Sequence, residues 1–486
     1  MADYDLAVIG GGLTGASIAR DAAGRGLKVV LFEQGDLASG ASSASSRLMG
    51  VDFGALDRRA FTGLRRSLLE RDREVHAAPH LVRPVRLVIP LHPEGVPAWQ
   101  LRFGLSVHDR LSPERGASER LDLSHHEAGF CLQRPFGEAF EFSGAIADDS
   151  RLVVLNAVDA AARGAEIRTG ARCVRVDRDA DWRIAVIDRG RRKIVTARAL
   201  ASAVGAWTAQ FAETVLRLPS PPLRLVRETQ ILVRRLFDHD RVYVLQHREG
   251  RLVFAQPYAE DLTLIGTAGG EFRGDLAAIS AAATDVVDLC SAANRFFREQ
   301  ISPGEVVATI CAVRARPVNA SGDGAQRFGV ARLDRRYGEA PLVTVFGGDL
   351  TFYRDQAERA LDALAPFYAR APSWTAAARL PGGDFDSLDD QILATLARFP
   401  FLTEREARRL TLAYGTRVID ALGGVRRRED LGPAFGSDLV GAEVRYLMAV
   451  EWARTPDDIL RRRSKSGLSI SAAARDALAE FMKSVA

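Results

Sequence analysis

Cysteine is scarce in this 486-residue chain: Cys131, Cys173, Cys290 and Cys311 are the whole set, without paired spacing. That excludes a disulfide framework and a cysteine-held zinc site, and it fits a reducing cytoplasm. Long apolar runs are also missing. No stretch reaches the ~18 residues of a membrane-spanning helix, and the chain enters a strand pattern so early that no secretion signal is expected. Lysine is the third scarcity: Lys28, Lys193, Lys465 and Lys483 are the only four among 66 basic residues. The formal net charge is +4, and no basic block carries interleaved aromatics, which argues against nucleic-acid binding. A chain this poor in lysine replaces it with arginine by default. A lysine position taken by an acid therefore carries information.

What is present is concentrated at the N-terminus. An apolar run, Leu6 to Ile9, feeds a Gly-x-Gly-x-x-Gly turn at Gly10, Gly12 and Gly15, and a helical stretch and the strand Lys28–Glu33 follow. Gly10 permits the tight turn, Gly12 lets backbone N–H groups approach a pyrophosphate, and Gly15 lets the helix pack on the strand. Glu33 stands 18 residues beyond Gly15, where a carboxylate can bind a ribose diol. This context predicts a dinucleotide site.

The length predicts two or three domains. After Glu33 comes a small-residue loop rich in hydroxyls, Gly35–Ser46. A capped helix from Ser150, a three-strand meander and a returning strand up to Trp207 resemble the insertion a dinucleotide fold makes. Residues 223–330 alternate as an antiparallel sheet, and Pro341–Thr351 is a second strand–glycine–helix junction. The expected architecture is α/β. A Rossmann-like domain (1–75, 145–215 and 335–372) interleaves with an antiparallel-sheet substrate or cap domain (76–144 and 216–334), and a helical domain (380–486) follows. The segment from Trp99 to His108 reads as a packed surface helix or a membrane contact, and His80 reads as structural.

The chain resembles FAD-dependent glycerol-3-phosphate dehydrogenases along essentially its full length. The matches include Ile9–Gly15, Ser42–Ser46, Ala78-Pro-His-Leu81, Asp148–Leu152, Ala203–Trp207, Phe346-Gly-Gly348 with Thr351, Leu380–Gly383 and Asp457–Lys465. The resemblance implies FAD as cofactor, held by Gly10, Gly12, Leu13, Thr14, Gly15, Glu33, Ser42, Ser43, Ser45, Ser46, Arg47, Gly205, Gly347, Gly348, Leu350 and Thr351. It also implies hydride transfer from the secondary carbinol carbon of a small-molecule alcohol to flavin N5. A quinone or other acceptor would then take the electrons, in a homodimer lying peripherally on the inner face of the cytoplasmic membrane.

Departures cluster at the substrate end. Where the family has a histidine and a glycine pair, this chain has Gly50 and Val51-Asp52, and an Arg-Tyr pair becomes Gly54-Ala55. A second histidine becomes Gln230, and Asp349 stands where a lysine belongs. Arg314 survives as a cation, Arg327 or Arg332 can supply another, and Arg316 reads as a salt-bridge or surface residue. Lysine to aspartate shifts the local charge by two units. Each unit pair at ~4 Å is worth about 4 kcal/mol at an effective dielectric constant of roughly 20. The candidate catalytic set is Asp349, Arg314 and Gln230, with Asp349 as general base or hydroxyl anchor, although Gln230 can equally just fill the histidine's space. Three outcomes stay open: a family dehydrogenase with a changed substrate (polyol, polyol phosphate or hydroxy acid), ordinary glycerol-3-phosphate oxidation with a rearranged site, and a flavin-binding relative without turnover.

Overall fold

The computed structural model describes residues 2–51, 58–133, 136–247, 251–259, 261–318, 327–368 and 371–485. The opening apolar run is β1 (Tyr4–Ile9), the glycine turn leads into α1 (Leu13–Gly24), and β2 (Val29–Glu33) closes the unit. β1 pairs in parallel with β2 on one side and with the end of strand Arg191–Ser202 on the other. Helices cover one face of this sheet and the meander the other, so β1 and β2 are apolar without alternation. The first sheet runs Val330–Asp334, Leu342–Phe346, Arg191–Ser202, β1, β2, Glu166–Thr169, with strands Ala171–Arg178 and Trp182–Asp188 attached. Its core meets α1 and the helices Asp149–Ala162 and Tyr353–Leu364 through Leu6, Val8, Ala16, Ala19, Val153 and Ala357. Strand Val330–Asp334 forms an antiparallel hairpin with Leu342–Phe346 and so belongs to this sheet, not to the cap. Alternation reads the same in either sheet, so the boundary expected at 335 falls before 330.

The second sheet has nine strands among the described residues. It is antiparallel apart from one parallel junction, where Tyr243 lies opposite Val88. The C-terminal part is helical, with Leu388–Arg398, Glu404–Tyr414, Gly441–Val450 and Ala472–Val485 around their own core. Buried ion pairs weld it to the dinucleotide domain: Arg151 holds Glu451 bidentately, and Arg463 holds Asp36. Among the described residues, no helix is long and apolar enough to cross a membrane. Helix Ala98–Leu111 lies on the surface, burying Leu105 and His108 while exposing Trp99 and Phe103. His80 is buried against Phe385, and burial pulls its pKa down to about 3, so it stays neutral.

Helix Arg58–Ala77 buries Glu74, whose Oε2 accepts a hydrogen bond from Tyr353 Oη at 2.5 Å. Burial pushes the Glu74 carboxyl up to about 7. A carboxyl raised in the folded state contributes stability that is complete below its unfolded value and lost as pH rises through the folded one. The window is therefore about pH 4.5 to 7, and the loss is about 3 kcal/mol. Denaturant unfolding of Glu74→Gln should show its stability relative to the unmodified chain rising across that window. A difference that stays flat from pH 5 to 8 would refute the assignment.

Candidate active site

Gly10 sits at φ +113°, and a Cβ there would lie 2.4 Å from the carbonyl oxygen of Ala203. A Cβ on Gly15 would lie 1.9 Å from the carbonyl oxygen of Gly10. Only glycine fits either place, and the result is an N-terminus of α1 pressed against the strand ends. Gly12 caps α1 without a side-chain hydrogen bond, so first-turn N–H groups face a cleft of about 540 Å³. The Leu13 N–H donates to Ser42 Oγ at 3.0 Å, joining the helix start to the hydroxyl-rich loop. Glu33 lines the same cleft, and its carboxylate accepts from the N–H groups of Gly11 at 2.7 Å and Gly35 at 2.8 Å. Burial raises its pKa, and these backbone bonds partly counter that. Each oxygen keeps a lone pair for a diol. An open helix N-terminus, close-approach glycines and a buried acid are what a dinucleotide pyrophosphate and ribose require, so the residues fit FAD.

A cavity of about 120 Å³, lined by Leu13, Thr14, Ser42, Ser45, Gly205, Gly347 and Gly348, links the cleft to a third one. That third cavity, about 370 Å³, is lined by Ser46, Gln230, Leu350 and Thr351 among others. Gly205, Gly347 and Gly348 all have positive φ, which bends the backbone around the linking cavity. Two residues expected at the cofactor turn elsewhere. Ser43 hydrogen-bonds its own loop at Gly40, and Arg47 lies on the carbonyl of Ala147 and over the Tyr258 ring. Neither lines these three cavities.

The wall of the third cavity follows from period-two geometry. In strands Leu223–Arg234 and Ala308–Pro317, Val226 pairs with Arg314 and Glu228 with Ala312, so Glu228, Gln230, Arg314 and Arg316 share one face. Phe254 and Gln256 extend that face through Gly266, whose Cβ would lie 2.5 Å from Gln230 Cγ. Asp349 enters from the turn after Leu342–Phe346, its N–H donating to the carbonyl of Arg327 at 2.8 Å.

These charges form a ladder. Arg314 Nε lies 2.8 Å from Glu228 Oε2, in ionic contact without hydrogen-bond alignment, and Arg316 Nη2 donates to Glu228 Oε1 at 3.0 Å. Arg316 Nη1 donates to Asp349 Oδ1 at 3.1 Å, and Arg327 Nε lies 3.8 Å from Asp349 Oδ2. Burial opposes the charge of Arg316, but Asp349 and Glu228 outweigh it and raise its pKa. For Arg327 burial wins and lowers the pKa, with Asp349 only partly restoring it. Among the described residues, three guanidiniums face two carboxylates, leaving one formal positive charge in excess. The charge reversal expected from Asp349 is thus offset by its neighbours.

Arg316 is the salt-bridge residue expected, though it lines the cavity and is not on the surface. Of the two candidates for a second cation, Arg327 lines the cavity, whereas Arg332 is exposed on Val330–Asp334, away from it. Gln230 donates both amide hydrogens, to the carbonyls of Ala44 (3.0 Å) and Ser45 (2.9 Å), so its amide nitrogen is committed to holding the cofactor loop. Gln256 does the same at Ser46 (2.9 Å), while its buried Oε1 has no partner among the described residues. Asp52, Gly54 and Ala55 lie outside the described residues. Glu228 and Gln256 were missed, although the alternation through 226, 228 and 230 could have placed Glu228 beside Gln230.

A family model described as FAD dependent oxidoreductase matches residues 5–351, and one described as C-terminal domain of alpha-glycerophosphate oxidase matches 373–486. The chain is 39% identical to the glycerol-3-phosphate dehydrogenase of Pseudomonas aeruginosa, over 99% of this chain and 95% of that protein. It is 36% identical to the D-erythritol 1-phosphate dehydrogenase of Brucella abortus, over 98% and 97% respectively. The solved structure of the Bacillus halodurans glycerol-3-phosphate dehydrogenase complexed with FAD superposes with a TM-score of 0.73 at 22% identity, covering 99% of this chain and 94% of that one.

Proposed function

Given that the chain belongs to the FAD-dependent oxidoreductases of the glycerol-3-phosphate dehydrogenase family, we propose that it oxidises a secondary alcohol carried on a small anion, a polyol phosphate or a hydroxy acid. The observation that carries this reading is the ladder from Arg314 to Arg327, with its single excess positive charge among the described residues. A neutral polyol would leave that charge uncompensated in a part-buried cavity, whereas an anion would complete it.

FAD, when bound, supplies the hydride acceptor. The chain's own residues do the rest. Arg314 makes no hydrogen bond through Nη1 or Nη2 among the described residues, so both can receive the anionic group. Asp349 Oδ2 accepts the substrate hydroxyl and takes its proton as the carbinol hydride leaves. Gln256 Oε1 accepts a hydrogen bond from a neighbouring hydroxyl, and Leu252, Phe254 and Phe352 keep water from the reacting carbon. The exposed Trp99 and Phe103 support a peripheral membrane position, which a lipid-soluble quinone acceptor requires.

Anaerobic bleaching of the bound flavin tests the reading. Glycerol 3-phosphate, longer polyol phosphates, hydroxy acids and the corresponding neutral polyols form the panel. Bleaching is expected from one or more anions and not from neutral polyols at equal concentration. A neutral polyol that bleaches as fast as its phosphate, or no bleaching by any compound, would overturn it.

A further inference from the structure

None of the described residues from 380 onward lines the three cavities, yet one short segment of the helical domain reaches both arms of the cofactor site. We propose that Arg462, Arg463 and Lys465 form a clasp that holds the FAD-binding loops closed, with Lys465 positioning the loop at Ser45.

On the flavin side, Lys465 Nζ lies 2.8 Å from Asp148 Oδ1 and 3.0 Å from Asp149 Oδ1. The other oxygen of Asp149 accepts from Ser45 N at 3.0 Å and from Ser45 Oγ at 2.8 Å. Ser45 Oγ in turn accepts from Arg47 N at 3.0 Å, so one ammonium is linked through one carboxylate to a residue lining the linking cavity. On the adenosine side, Arg463 grips both oxygens of Asp36 at 2.8 Å and Arg462 adds a third contact at 2.6 Å. Asp36 stands three residues past Glu33, on the turn whose Gly35 N–H orients the Glu33 carboxylate.

The segment is built for this reach. A π-helical stretch, Asp458–Arg463, widens the backbone, and Lys465 follows at φ +55°. Arg463 is fully buried, so its guanidinium has no solvent alternative to Asp36. An ammonium suits the flavin side because it is a compact point charge whose three hydrogens can serve two adjacent carboxylates at once. This explains a lysine in a chain whose cations are otherwise almost all arginine. Without it, the neighbouring Asp148 and Asp149 would repel each other, and Asp149 Oδ1 would keep only the Ser150 N–H at 2.8 Å to fix it for Ser45.

FAD affinity is the readout, so the test stands whichever alcohol is oxidised. The full chain is stripped of flavin and titrated with FAD, following fluorescence quenching and the rate of FAD release. Lys465→Met should weaken FAD binding by roughly 10- to 100-fold. Isosteric Asp149→Asn should do likewise, and the double variant should be no worse than the weaker-binding single one, since both cut one link. Arg409→Met provides the structural control. It breaks another ion pair of the helical domain, with Glu443 at 2.7 Å, which has no connection to Ser45. It should lower the melting temperature with FAD affinity unchanged. FAD affinity within two-fold of the unmodified chain in both Lys465→Met and Asp149→Asn would overturn the proposal. So would an equal loss in Arg409→Met. If Lys465→Met does not fold, Asp149→Asn alone decides by the same criterion.

Discussion

Replacing Gly10 with alanine is expected to give a protein that purifies without its yellow cofactor. Two costs combine. The residue sits at φ +113°, where a side chain is strained by about 1–3 kcal/mol. Its Cβ would also stand 2.4 Å from the Ala203 carbonyl oxygen, a backbone atom held by the pairing of β1 with Arg191–Ser202. The turn must therefore open, which moves the N–H groups at the start of α1 away from the pyrophosphate. A loss of at least about 2.7 kcal/mol, on the order of 100-fold in FAD affinity, follows. Gly26→Ala separates the two costs. It has φ +87° but no neighbouring atom within 4 Å, so it should cost stability of about 1 kcal/mol and keep FAD. If Gly10→Ala binds FAD as tightly as Gly26→Ala does, the close-approach account of the turn is wrong.

The second large effect is a split between two neighbouring residues of the ladder. Arg314→Met removes the cation assigned to the substrate anion. It should raise KM for the active anion on the order of 100-fold, about 2–3 kcal/mol for a charge-assisted hydrogen bond, with kcat changed much less. Asp349→Asn should behave in the opposite sense. It adds a second excess positive charge to the cavity, so KM for a dianionic phosphate should fall or hold, while loss of the proton acceptor lowers kcat by about 10²- to 10⁴-fold. Steady-state kinetics on both variants with the same substrate reads the split. Matching KM increases in both, with kcat preserved, would show that Asp349 only organises arginines.

The two halves of the site were unequally legible. The adenosine half depends on local rules: a glycine needed at positive φ, another at a close approach, an apolar strand before and an acid after. Those constraints act within about thirty residues of chain, and the pattern from Leu6 to Glu33 displays them all. The C-terminal domain was visible as a helical region, but its arginines Arg462 and Arg463 gave no hint of Asp36, which lies more than 420 positions away. The partners of Gln230 were not legible, because the carbonyls of Ala44 and Ser45 lie more than 180 positions away. The placement of Val330–Asp334 failed for a related reason, since alternation specifies a face and not a partner strand.

The resemblance to the family marked an aspartate where a lysine was expected; the sequence by itself determined the dinucleotide class of the cofactor and the layered α/β plan. It could do so because backbone conformation and side-chain period are properties of neighbouring residues. Which charges surround Asp349 was decided only by the tertiary structure. Coulomb energy falls with distance through space, and the distances that matter join Asp349 to Arg316, 33 positions away, and Arg316 to Glu228, 88 positions away. Folding sets Asp349 beside the guanidiniums of Arg316 and Arg327, and so offsets its charge in place.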